Sequence, residues 1–371
     1  MDNLKILHVL SYNGKGGAET LVENLIGLQL KSSYAEFVHV LTFSNVHEVI
    51  KFSQSTKKFR HHHLFVNSKS SLIQFFQISL FIFRVINKYS YNIINSHLLA
   101  PLYIFLFPLF FKSSQYVHTF HSQAEKELGS HKDSIHYYIR YFYYKRINLV
   151  AISESVKNSI NLFYGFNSKL IFNGGLFQEN SNKIPDTLLK KTSNKTILLA
   201  VGHTRIVKNY ELLISSFKKI NDNCLLIILG SLVDNFKDYN IMSERDNNIY
   251  FMGSVSNVQD YMKIADFLCM TSKHEGMPIT LLEAKANGLI PIVTPVRGIT
   301  DLVIHNYNGI IAEDLKVESF EFAIKEALNL SRVKKEYLKS NSKKEFQQTY
   351  SIESCSKNYL SFYKKIIINN S

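Results

Sequence analysis

Four short stretches of this 371-residue chain gather residue types that handle anions and hydroxyl groups. The most specific is HEGMPITLLEA, His274–Ala284. Pro278 suits the first turn of a helix, so Glu275 falls just before a helix start and Glu283 about one turn inside it. Two carboxylates near one helix start accept hydrogen bonds from hydroxyls such as those of a sugar or ribose. The amides that follow Pro278, those of Ile279, Thr280 and Leu281, point towards an incoming anion. Compensation of the helix dipole, worth under about 1 kcal/mol, accounts for Glu283 but gives no reason for Glu275 beside Gly276.

The second stretch is VGHTRIVKN, Val201–Asn209, where an apolar run ends at Gly202 and the cations Arg205 and Lys208 follow before a helix. A diphosphate would be neutralised there, although a solvated basic loop has the same composition. The chain has no Asp-x-Asp pair to carry a divalent metal, so a diphosphate leaving group would depend on side-chain cations and amides. The third stretch, SYNGKGGAET (Ser11–Thr20), places Gly14, Gly16 and Gly17 before a helical pattern marked by Leu21, Leu25 and Leu28. It is neither a Walker loop nor a complete G-x-G-x-x-G fingerprint, and a tight turn explains it equally well. The fourth is VHTFH, Val117–His121, with histidines at a strand end. His97, in NSHLLAP, stands in a similar position. Such histidines serve as hydrogen-bonding or acid–base groups, or as structural ones.

The elements that must position these groups alternate. Strand patterns run at Leu4–Leu10, Phe37–Phe43, Tyr91–Ser96, Gln115–Phe120, Leu149–Ser153 and Lys169–Phe172. A polar stretch, Glu179–Lys195, reads as a linker. The alternation resumes with strands at Thr196–Val201, Cys224–Leu229, Asn248–Phe251, Phe267–Thr271 and Ile290–Thr294. Helical patterns near Tyr210–Ile220, Val258–Ala265 and Ile279–Asn287 fall between them. Such alternation implies parallel sheets covered on both faces. The fold class expected is α/β, with two Rossmann-like doubly wound domains at residues 1–185 and 193–350. Ligands of such sheets bind beyond the carboxyl ends of the strands, where the four stretches fall. The tract His61–His63 sits in a polar stretch and reads as surface.

Composition sets outer limits. Hydrophobic residues make up 46% and charged residues 20%, an ordinary globular balance. Cys224, Cys269 and Cys355 form no C-x-x-C pair, which argues against a disulfide framework and fits a reducing, cytoplasmic compartment. The opening residues lack a signal-peptide pattern. The formal charge of +13 suggests an anionic partner, but the abundance of Lys, Asn and Ile equally reflects a composition bias. Leu98–Phe111 is uncharged yet has 14 residues and two prolines, too short to span a bilayer. Leu72–Phe83 is similar. Ser134–Arg146 mixes Tyr and Phe with Arg140, Lys145 and Arg146. All three read either as segments lying on an anionic membrane or as buried and half-buried helices with snorkelling cations.

Taken in order, GGAET, VHTFHS, AISESVKNSI (Ala151–Ile160), IFNGG (Ile171–Gly175), VGHTRIVKN, Phe251–Thr294 and NGII (Asn308–Ile311) resemble the family 4 (group 1) glycosyltransferases of bacterial surface-polysaccharide type. The resemblance spans nearly the whole chain, and the Glu275-x7-Glu283 element is its most diagnostic part. It implies the GT-B fold, two Rossmann-like domains facing across a cleft, with a C-terminal helix at 351–368 returning to the first domain. It implies retention of configuration, no metal and no cofactor, a UDP- or GDP-sugar donor and a glycan or lipid-linked acceptor. Glu275 would contact the donor sugar and Glu283 the donor ribose. Arg205 and Lys208 would hold the diphosphate with amides from Met277, Pro278, Ile279, Thr280 and Leu281. Gly17 would approach phosphate or acceptor, His121 the transferred sugar, and Gly253 and Val255 the nucleobase. The family often has Arg directly after the glycine at 202, where this chain has His203, so Arg205 is the weaker of the two cation assignments. Asp301 stands where Glu is frequent.

These observations favour a transferase acting at the cytoplasmic face of a membrane, with peripheral contact to anionic lipid and no nucleic-acid partner. Epimerisation or hydrolysis of a nucleotide sugar on the same architecture is the alternative. Non-catalytic binding of nucleic acid or membrane leaves the paired carboxylates unexplained.

Overall fold

The computed structural model describes residues 3–11, 16–45, 56–68, 70–127, 134–177, 184–185, 188, 192, 194–220, 223–231 and 248–369. The chain divides into two compact units, Met1–Gly174 with Ile352–Ser371, and Gly175–Ser351. Residues 175–185, placed in the first domain from sequence, thus belong to the second unit. The polar stretch 179–195 lies largely outside the described residues.

The first unit is built on a seven-stranded sheet. Its strands are β1 (Leu4–Ser11), β2 (Ala35–Ser44), β3 (Phe59–Phe65), β4 (Ile93–His97), β5 (Gln115–Phe120), β6 (Asn148–Ala151) and β7 (Lys169–Leu170), in the order β3-β2-β1-β4-β5-β6-β7. Every pairing is parallel. Apolar runs such as Leu4–Leu10 are buried almost throughout, as a strand covered on both faces requires. The helix Gly17–Lys31 buries Leu21, Val22, Leu25 and Ile26.

The second unit repeats the plan. Its strands are β8 (Thr196–Val201), β9 (Cys224–Leu229), β10 (Ile249–Gly253), β11 (Phe267–Met270), β12 (Ile290–Val293) and β13 (Ile310–Ile311), in the order β10-β9-β8-β11-β12-β13. Counted from the first strand of each unit, both orders begin 3-2-1-4-5-6, the doubly wound arrangement. The order reverses between β1 and β4 in one sheet and between β8 and β11 in the other, and crevices for ligands open beyond such reversals.

Two strands were not expected. The tract His61–His63 is part of β3, paired with β2 and half-buried, so the surface reading is corrected. His61 and His63 both meet the Thr42 hydroxyl, at 2.7 and 2.8 Å. β13 is only two residues long. The greasy segments also resolve. Leu98–Phe111 holds two one-turn helices, Pro101–Ile104 and Phe107–Phe110, each with proline at its start. Leu72–Phe83 lies within the helix Ser71–Tyr89, on which Leu72, Ile73, Phe76, Leu80 and Phe83 are exposed. Arg140 does not snorkel. It is fully buried and donates to the Glu127 carbonyl at 3.0 Å.

The C-terminal helix Ile352–Ile368 belongs to the first unit and packs on Gly17–Lys31. Its inner face carries Tyr359 and Tyr363, both fully buried. Asn95 Nδ2 donates to the Tyr363 hydroxyl at 2.8 Å, and Asn95 Oδ1 accepts from the Thr119 hydroxyl at 3.1 Å. Polar groups on β4 and β5 thereby anchor the end of the chain. Tyr363→Phe leaves the buried Asn95 amide without its acceptor, and we expect a loss of about 1–3 kcal/mol in urea unfolding. A loss below about 0.3 kcal/mol contradicts this role.

Candidate active site

The second unit places an ion pair beyond β8 and β11, the two strands at its reversal point. β8 ends at Gly202, and a loop carries the chain through a short 3-10 turn, Ile206–Lys208, to the helix Tyr210–Phe217. Asn209 takes a left-handed conformation, φ 52°, to make the bend. The loop is tied down at several points. The Tyr210 hydroxyl donates to the Gly202 carbonyl at 2.9 Å, the Thr271 hydroxyl to the Lys208 carbonyl at 3.0 Å, and the Lys273 amide to the Val207 carbonyl at 2.8 Å. The end of β11 and the loop after β8 therefore hold each other in register.

Lys208 and Glu275 meet across this junction. Nζ of Lys208 lies 2.7 Å from Oε1 of Glu275, and the Ser272 hydroxyl donates to the same oxygen at 2.7 Å. Both charges are largely removed from water, with 23% and 15% of their side chains exposed. A pair so shielded is attracted more strongly than a surface pair. Arg205 differs: it is exposed, and among the described residues only its backbone is tied down, its amide donating to the His203 carbonyl at 2.7 Å and its carbonyl accepting from the Lys208 amide at 2.8 Å. His203 turns to Ser231, with Nδ1 2.5 Å from Oγ.

Pro278 caps the helix Ile279–Asn287 in an extended conformation. The side chains of Met277, Ile279 and Leu281 are buried and anchor the first turn. The Leu281 amide is engaged by the Pro278 carbonyl at 3.1 Å, so of the three amides expected to face an anion it is committed. Those of Ile279 and Thr280 stand in the first turn, where a helix supplies no acceptor. Further along the same helix, burial raises the Glu283 carboxyl to about 7. Lys285, fully buried, reaches the Glu345 carboxylate and the Leu302 carbonyl, each at 2.6 Å, and Asn308 joins both. Burial lowers the Lys285 ammonium and Glu345 opposes that shift. This network fixes the helix against Arg332–Glu345.

Two glycines set the spacing. Gly298 has φ +83°, and a Cβ there would stand 2.4 Å from the Glu275 carbonyl oxygen and 2.5 Å from that of Gly276. The turn after β12 thus presses directly on the backbone that presents Glu275. Gly230, at the end of β9, has φ +149°, and its Cβ would collide with the Gly202 carbonyl. Gly253 ends β10, with its carbonyl accepting from the Gly230 amide at 2.8 Å, and Val255 follows half-buried. Ser272, Gly298 and Lys285 did not emerge from sequence reasoning. Ser272 had a readable signal, the Ser-x-x-Glu spacing to Glu275.

The remaining expected residues lie in the first unit. Gly17 is exposed at the start of its helix, and Gly14 lies outside the described residues. His118 is buried and bonds Ser96 at 3.0 Å. His121, just after β5, is half-buried, and its Nε2 lies 2.9 Å from Nδ1 of the buried His97.

Comparison with known families fits this division. The model described as Glycosyltransferase Family 4 matches residues 15–174, and that of the Glycosyl transferases group 1 matches residues 183–345. The chain is a family 4 (group 1) glycosyltransferase. An uncharacterized glycosyltransferase of Methanocaldococcus jannaschii is 26% identical over 351 residues, 92% of each chain. The N,N'-diacetylbacillosaminyl-diphospho-undecaprenol alpha-1,3-N-acetylgalactosaminyltransferase of Campylobacter jejuni is 22% identical over 52% of this chain and 49% of its own. The Anabaena protein HepE, solved with UDP and glucose, aligns at TM-score 0.78 with 15% identity, covering 97% of this chain and 100% of that one. The glycosyltransferase thus has the GT-B fold, as expected from its sequence motifs.

The Glu283 shift has a measurable consequence for this glycosyltransferase. Its folded-state carboxyl is raised from an ordinary value of 4.5 to about 7. Between those values the native state holds a proton that the unfolded chain has released, so stability falls as pH rises through that window and levels off above about 7. Glu283→Gln abolishes this loss. We expect the variant to gain about 3 kcal/mol relative to the parent between pH 4.5 and pH 8, read from urea unfolding at each pH. A difference that does not change with pH contradicts the shift.

Proposed function

We propose that this glycosyltransferase moves a sugar, with retention of configuration and without a metal ion, from a UDP- or GDP-sugar to a glycan or lipid-linked acceptor. The observation that carries the reading is the Lys208–Glu275 pair beside the start of the helix Ile279–Asn287. A nucleoside diphosphate sugar presents phosphate oxygens next to sugar hydroxyls. An ammonium and a carboxylate 2.7 Å apart, next to helix-start amides, match that sequence of charges. In this reading Lys208 and the Ile279 and Thr280 amides take the diphosphate, and Glu275 takes a sugar hydroxyl. Glu283 takes the ribose, and Gly253 and Val255 border the base. Arg205, exposed on the same loop, completes the phosphate contacts. His121 and Gly17 serve from the first unit, His121 at the transferred sugar.

Surface-polysaccharide assembly on a lipid carrier is the setting we favour, at the cytoplasmic face of the membrane. The Campylobacter relative is named for an undecaprenol diphosphate acceptor. Among the described residues no helix is long and apolar enough to cross a bilayer. The exposed row Leu72, Phe76, Leu80 and Phe83 instead supplies an apolar helix face, with Arg84 and Lys88 following on the same helix, a composition suited to peripheral contact with anionic lipid.

Lys208→Ala tests the assignment. The cation removed is one we place on the leaving group, so kcat is expected to fall about 100-fold or more while circular dichroism and cooperative unfolding are retained. Near-parental turnover in a folded variant refutes it. With donor alone, the parent should release little free sugar, whereas rapid release would favour hydrolysis.

A further inference from the structure

Three imidazoles in the first unit form one hydrogen-bonded row. Oε1 of Gln29 lies 3.0 Å from Nε2 of His8, Nδ1 of His8 lies 3.1 Å from Nε2 of His97, and Nδ1 of His97 lies 2.9 Å from Nε2 of His121. The four residues come from the helix Gly17–Lys31, β1, β4 and the turn after β5. Gln29, His8 and His97 are fully buried, and only His121 reaches the surface. Successive rings lie 5.4 and 5.2 Å apart between centroids.

The row has one sense. Burial lowers His8 to about 4, His97 well below the ordinary value, and His121, with His118 nearby, to about 3. All three rings are therefore neutral near pH 7. A neutral imidazole has one donor nitrogen and one acceptor nitrogen, and each inner ring uses both within the row. With the Gln29 carbonyl facing His8, His8 donates from Nε2 and accepts at Nδ1. His97 does the same, and His121 donates from Nε2. Nδ1 of His121 is left as a bare acceptor, with no hydrogen bond to a described residue. Reversing His121 alone would set two lone pairs against each other at His97 Nδ1. The buried Nε2 of Gln29 has no partner among the described residues, so the contact with His8 is the one that its amide makes inside the row.

We propose that Gln29, His8 and His97 are positioning residues that fix the tautomer of His121, so that it offers an acceptor nitrogen to a substrate hydroxyl. The proposal rests on the reading that His121 faces the transferred sugar. The relevant chemistry is discrimination by hydrogen-bond sense: a bare Nδ1 receives an O–H group and repels a carbonyl or phosphate oxygen. Gln29 acts two rings away and touches no substrate.

The test is long-range proton–nitrogen correlation of the full-length protein labelled with nitrogen-15 in its histidines, at pH 7. The parent is expected to show His8, His97 and His121 each protonated at Nε2 alone. Gln29→Leu removes the acceptor at the head of the row, so His121 should change tautomer or become mixed. In that variant kcat should fall about tenfold while the donor KM moves less than twofold. Gln29→Glu, whose ionised carboxylate only accepts, should return His121 to the parental pattern at a pH where that carboxylate is ionised. Imidazolium signals or mixed tautomers at His97 and His121 in the parent overturn the proposal, and so does a His121 pattern indifferent to Gln29→Leu. The parental spectrum decides even if Gln29→Leu fails to fold. Parent-like turnover in His121→Ala counts instead against the reading of His121 at the sugar, and the spectra keep the two failures apart.

Discussion

One ion pair organises the second unit of this glycosyltransferase. Lys208 follows β8 and Glu275 follows β11, adjacent strands at the point where the sheet reverses its order. Opposite charges held at 2.7 Å in a shielded place need support from both sides. That support is visible in the Ser272 hydroxyl, in the backbone ties from Thr271 and Lys273, and in the close approach of Gly298 behind Glu275. The loop after β8, the end of β11 and the turn after β12 thus converge on these two side chains.

The helix Ile279–Asn287 shares the burden. Its first turn is anchored by buried apolar side chains, and its middle by Lys285 reaching Glu345 and Asn308. A buried ammonium without such partners would be costly. Lys208, Glu275 and the amides of the first helical turn are thus held by ties to neighbouring segments, which suits the proposed role of meeting a charged group with little reorganisation.

Much of this was legible in the sequence because the signals are local. Pro278 announced the helix that starts at Ile279, and the spacing of Glu275 and Glu283 needed only that helix to become meaningful. Long apolar runs announced β1, β8 and β9. Other features depend on distant segments and left no local trace. β3 hides behind its three histidines, two of which, His61 and His63, find Thr42 on the neighbouring strand. β13 has two residues, too few for a period. Gly298 matters only because the turn after β12 meets the Glu275 backbone. The row from Gln29 to His121 assembles from four elements, and each of its histidines read singly is indistinguishable from a structural one. Composition marked Leu72–Phe83 as apolar, but only the packing shows that one face of its helix is left outward.

In the proposed function, fixed positive groups and helix-start amides hold a nucleoside diphosphate. Calorimetric titration of UDP and GDP into the protein in the presence of a chelator tests it most directly. The account predicts saturable one-site binding of at least one of the two, unchanged by chelator and weakened about tenfold or more in Lys208→Ala. Binding that appears only when a divalent cation is added, or that is indifferent to Lys208, would contradict it.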